Sequence, residues 1–174
     1  MDKIKKWEIW GAAISILVGS FLHFVFELSG NNHVVALFGT VNESTWEHLK
    51  IAFWPTFIFA IIEWQIFGKQ ITNFCFATFI KIISIPVVII TLFYGWVLFF
   101  EDSLIYDIII FIIAIILGYY FSYLIIKSKK QYGPESIWAI LIFIILVKFS
   151  LFSYFPPKTF ITKDPVSGGY GINK

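Results

Sequence analysis

Between residues 104 and 126 the chain carries one charged side chain, Asp107. A stretch that long and that apolar matches the roughly 20 residues an α-helix needs to cross hydrocarbon. Hydrocarbon offers the backbone no water, so a single crossing segment must satisfy its own N–H and C=O groups, which only a helix does. Four further runs read the same way: residues 7–28, 43–67, 71–99 and 134–154. Pro86 predicts a kink within the third of these in chain order, and Pro134 suits the first position of the last helix. A signal peptide would have a shorter apolar region followed by a small-residue cleavage site. Residues 7–28 fit neither requirement and read as a retained first span. The predicted architecture is all-α: a polytopic integral membrane protein with five transmembrane helices over residues 1–155 and a polar tail over 156–174.

Composition agrees. Hydrophobic residues make up 59% of the 174 and charged residues 14%, against about 45–50% and about 25% in soluble domains. Nucleic acid is excluded as a partner, because the lysines are scattered and form no basic face. All 13 cationic residues are lysine, so the bidentate guanidinium fork that grips phosphate or carboxylate is missing. The single Cys75 has no partner for a disulfide or a cysteine-based metal site.

Lysine asymmetry sets the predicted orientation. The N-terminal lysines, Lys69 and residues 127–130 alternate onto one side of five spans. The other side receives Asn31 and Asn32, Glu101 and Asp102, and the tail. The expected topology is therefore N-in and C-out, with the lipid bilayer as first partner.

That topology sorts the intramembrane polar residues by depth. His23 and Glu27 are i, i+4 on the first span, near its outer end. Glu43, Glu47 and Lys50 read as one face of the second, with His48 beside them. Asp107 lies in the first turn of the fourth, and Lys148 in the outer half of the fifth. Buried charge is expensive in a bilayer, so such groups face a bundle interior or a water-filled cavity. Gathered at one depth, they predict a polar pocket opening outward. Glu63 and Lys81 lie deeper toward the inner side and are expected to pair.

Residues 44–47, Ser-Thr-Trp-Glu, fit a capping box, with Asn42 an equal candidate for the cap. Capping accounts for one carboxylate but not for two carboxylates, an imidazole and a lysine within about two turns. Trp46 reads as an interfacial belt residue. The sharper reading joins His23 and Glu27 with Glu43, Glu47 and His48 as ligands of a zinc or iron ion. Under it, Glu47 and His48 are catalytic acid–base groups, Lys50 contacts an oxyanion or phosphate, and Asp107 orients a ligand. Without a metal, Glu47 beside His48 suits general acid–base work or proton-coupled transport equally. His33 reads as a solvated loop residue. The Gly-, Asp- and Tyr-containing tail reads either as a lid over the pocket or as disordered.

The string Val41-Asn42-Glu43-Ser44-Thr45-Trp46-Glu47-His48-Leu49-Lys50, with Tyr154-Phe155-Pro156-Pro157 and Asp164-Pro165 through Tyr170-Gly171, resembles a family of small bacterial membrane proteins defined only as a domain of unknown function. The resemblance spans nearly the whole chain. It implies an all-helical multipass protein, a Gram-positive type of source, and one functional unit made of the opening string and the tail. It transfers no catalytic residue. Three function classes remain open: a membrane hydrolase or transferase acting on a lipid or lipid-linked substrate or other small-molecule ligand, a proton-coupled transporter or channel, and a structural accessory subunit.

Overall fold

The computed structural model describes residues 2–172, and it is all-α. Five helices follow in order: α1 (Lys3–Leu28), α2 (Thr45–Ile66), α3 (Phe74–Val97), α4 (Leu104–Ser128) and α5 (Glu135–Leu151). The first four are long and apolar enough to cross a membrane. At about 1.5 Å per residue, the 17 residues of α5 rise about 26 Å, a little under a hydrocarbon core of about 30 Å.

The helix with the lowest hydropathy is the central one. Of the most apolar window of α2, 61% is buried, against 28–33% in α1, α3 and α4. That inverts the soluble pattern. Polar side chains sit on the helix that the others surround, while Leu17 and Phe21 of α1 and Ile105 and Ile108 of α4 are exposed. A surface of large apolar side chains suits lipid contact, not water.

Close approach of the helices rests on small residues. A Cβ on Gly19 would stand 2.8 Å from the Ile51 carbonyl oxygen, so α1 and α2 meet backbone to backbone there. One on Gly118 would stand 2.5 Å from Ile85 Cγ1, which fixes the α3–α4 hairpin. Aromatic rings fill the interior. Phe149 of α5 stacks on Phe53 and on Trp46, each at 4.5 Å between centroids. Trp46, read from sequence as a belt residue, is instead held between Phe149 and Phe152.

α1 starts before the apolar run does, capped by Asp2, whose carboxylate accepts the Ile4 N–H at 3.2 Å. Glu8 thereby becomes a helical residue turned into the bundle, 3% exposed. α2 and α3 continue through Pro55 and Pro86. Beyond α5 the described tail folds back onto the bundle. Trp46 N–H donates to Ile161 O at 2.9 Å, Ile172 N–H to Ser153 O at 3.0 Å, and the Asn42 amide to Gly171 O at 2.8 Å. Thr162 and Asp164 are buried. One end of the bundle thus gathers the C-terminal end of α1, the N-terminal end of α2 and the tail. Thr45 and Phe160 both meet Tyr94 of α3 there. At the opposite end Asn73 caps α4, donating to Ile125 O at 2.7 Å and Lys130 O at 3.0 Å.

Candidate functional site

The polar string ahead of α2 divides into two sets that face different ways. Asn42 accepts the Ser44 N–H at 2.9 Å and ties to the tail through its amide. Ser44, the N-cap residue, makes no capping bond with its side chain. Glu47 does not close a capping box either: it reaches past the cap to accept the Val41 N–H at 3.1 Å. Its other contacts are internal. Lys50 Nζ lies 2.5 Å from Glu47 Oε2, and Ser153 Oγ donates to Glu47 Oε1 at 2.7 Å. Lys50 also donates to Ser153 Oγ at 2.7 Å and to Ala36 O at 2.8 Å. Glu47, Lys50 and Ser153 are each at most 1% exposed. Their lone pairs and protons face one another, which is how a buried ion pair becomes tolerable.

Glu43 and His48 remain on the outside of this knot. His48 Nδ1 lies 3.0 Å from Ser44 O. A carbonyl only accepts, so Nδ1 carries a proton, and in the neutral ring Nε2 is the nitrogen that presents a lone pair. That Nε2 lies 3.6 Å from Glu43 Oε2. The same logic applies to His23 on α1. Thr40 Oγ1 donates to His23 O at 2.7 Å, so it meets His23 Nδ1, at 3.5 Å, as an acceptor. Both imidazoles are therefore held in the tautomer that leaves Nε2 for a ligand, and their rings lie 5.2 Å apart. One ligand atom from each of His23, Glu43 and His48 lies within 4.8 Å of the others. A zinc ion with bonds of about 2.0–2.2 Å needs ligand atoms about 3.4 Å apart, so a separation at the 4.8 Å limit would have to shorten by about 1.4 Å on binding.

The tail braces it. Asp164 accepts the Glu43 N–H, the Ser167 hydroxyl at 2.5 Å and the Val166 N–H at 3.2 Å. Burial alone would push this carboxyl up, but these donors hold it below the usual carboxylate range. Tyr154, raised above its ordinary value by burial and by the Glu47 carboxylate, donates to His33 O at 2.5 Å.

Of the residues singled out from sequence, the structure brings His23, Glu43 and His48 together. Glu27 is exposed one turn beyond His23, within its electrostatic reach but outside the three-residue set. Asp107 of α4 is half-buried and within electrostatic reach of His48. Glu47 and Lys50 lie behind the site in the knot, and Lys148 is exposed. Ser153 went unnoticed, since an isolated serine among aromatic residues carries no signal. Glu63 and Lys81 form the expected pair at 2.8 Å.

The sequence model for a family of unknown function (DUF6512) matches residues 1–172. The chain belongs to that family. No curated protein and no solved structure matches it. DUF6512 membership brings no activity with it, so the chemistry rests on the residues.

Proposed function

We propose that this DUF6512 protein crosses a bacterial cytoplasmic membrane five times, N-in and C-out, and holds a zinc or ferrous ion at His23, Glu43 and His48 near the outer face. The reaction class is hydrolysis of a lipid or lipid-linked substrate. One observation carries the reading. Of the polar residues in the 42–50 string, Asn42, Glu47 and Lys50 are engaged in internal bonds, whereas Glu43 and His48 are partly exposed beside His23.

Two neutral imidazoles and one carboxylate are a donor set that zinc and ferrous iron both accept, with coordination positions left open. A bound ion would supply Lewis-acid activation of water at that open position. The chain's own residues do the rest. Ser44 O and Thr40 orient the two rings, Asp164 fixes the backbone of Glu43, and Asp107 adds negative charge beside His48. Such supporting contacts commonly set metal affinity as strongly as the ligands do. The lysines at residues 3–6, 69 and 127–130 collect at the end opposite this site, which supports the orientation. Modest bilayer thinning accommodates α5.

Metal content of detergent-purified protein tests the proposal. Wild type and Glu27→Ala are expected to retain near-stoichiometric zinc or iron, and His23→Ala and His48→Ala to lose it. Well-folded wild type that binds neither metal overturns it.

A further inference from the structure

A second polar centre lies toward the opposite end of the bundle, built by one residue or more from each of α1 to α4. Lys81 Nζ of α3 lies 2.8 Å from Glu8 Oε2 of α1 and 2.8 Å from Glu63 Oε2 of α2. It also stands 4.2 Å from the centroid of the Tyr119 ring of α4, a contact that favours the charged ammonium. Ser122 donates to Glu8 Oε1 at 2.8 Å, and the Tyr119 hydroxyl bonds to Ser15 Oγ at 2.7 Å. Every member is at most 3% exposed.

The charges do not balance. Two carboxylates face one ammonium, and the fourth titratable group here, Tyr119, is neutral as a phenol. With both glutamates ionised the cluster would hold an uncompensated negative charge in a buried interior, which is strongly disfavoured. We infer that Glu8 and Glu63 form a proton-binding site, with one dissociable proton per chain shared between two carboxylates beside Lys81. The bonding assigns the proton to Glu63. Glu8 takes a hydrogen bond from Ser122 at Oε1 besides its ion pair with Lys81, whereas Glu63 is held by Lys81 alone; Glu8 Oε2 and Glu63 Oε1 each lack a hydrogen-bond partner among the described residues. Binding makes one O–H bond, with the proton taken from water and returned to it. The site is independent of the His23 cluster and holds whether or not that cluster binds metal.

A carboxylic acid is visible by infrared difference spectroscopy through its C=O stretch, which an ionised carboxylate lacks. In folded wild type at neutral pH, one such band is expected, shifting to lower frequency in deuterium oxide as the proton exchanges and again when glutamate is labelled at its carboxyl carbon. Charge balance makes a sharper demand. In Glu8→Gln or Glu63→Gln the remaining carboxylate pairs one-to-one with Lys81, so the band disappears from both. The amide keeps the size and polarity of the acid, and gel filtration checks the fold. If neither variant folds, the labelled wild type decides alone. Absence of the band in wild type, a band that follows labelled aspartate, or a band that survives in both variants overturns the site.

Discussion

Replacing Lys50 by methionine keeps most of the unbranched stem and removes the ammonium group with its charge. Three contacts go with it: 2.5 Å to Glu47 Oε2, 2.7 Å to Ser153 Oγ and 2.8 Å to Ala36 O. Hydrogen bonds to a charged group contribute about 1.5–3 kcal/mol each, but they are not additive here, because all three share one nitrogen. The governing quantity is the Glu47 carboxylate left buried without its cation, for which breaking a buried pair costs about 3–5 kcal/mol. Two consequences follow. Lys50→Met is expected to lose about that much stability in detergent unfolding followed by tryptophan fluorescence. Trypsin is expected to cut the tail faster at Lys158 and Lys163, because Ser153 no longer anchors Ile172. The double variant Glu47→Gln/Lys50→Met removes the stranded charge and is expected to recover at least about 1 kcal/mol of the loss, a coupling typical of groups in one network. A Lys50→Met loss below about 1 kcal/mol, as at exposed sites, or a double variant as unstable as the sum of the singles, refutes the reasoning.

Gly19→Ala places a Cβ 2.8 Å from Ile51 O and 2.7 Å from Phe111 Cζ. It is expected to cost about 1–3 kcal/mol as overpacking and, by parting α1 from α2, to weaken metal retention at His23 and His48, read by titration with zinc. Asp164→Asn gives up charge-assisted bonds and is expected to loosen Glu43 and the tail by about 1.5–3 kcal/mol, seen as faster tryptic cleavage at Lys163. Because the folded Asp164 carboxyl is held low, its contribution is complete above the unfolded value of about 3.9. It is lost as pH falls through the lower folded value. Acid release of the tail is therefore expected only below about pH 4, followed through Trp46 fluorescence; release near pH 6 contradicts it.

The helices were legible in sequence because length and apolarity are local properties, and the Glu63–Lys81 pair because charge in a span needs a partner. The direction of Glu47 was not. Helical spacing placed Glu43, Glu47 and Lys50 on one face, but α2 begins at Thr45, so Glu43 precedes the helix and the spacing argument does not reach it. Glu8 was overlooked behind the N-terminal lysines. Its signal was available in the small residues Gly11, Ala12 and Ser15, three, four and seven positions on, which mark a buried helical face. Ser153 had none, since its role depends on a contact between segments 103 residues apart.

That separation bears on how the protein is made. Glu47 and Lys50 are made with α2, while the serine between them arrives only after three more helices have been synthesised. Until then the pair has no hydroxyl to complete it, and Trp46 has neither Phe149 nor the Ile161 carbonyl. The nascent chain therefore carries unmatched polar groups at one end of its central helix until residues 149–172 have been made. Chains halted before residue 153 leave Glu47 and Lys50 without that hydroxyl and are expected to be cleaved faster by added protease than the chain carried through residue 172.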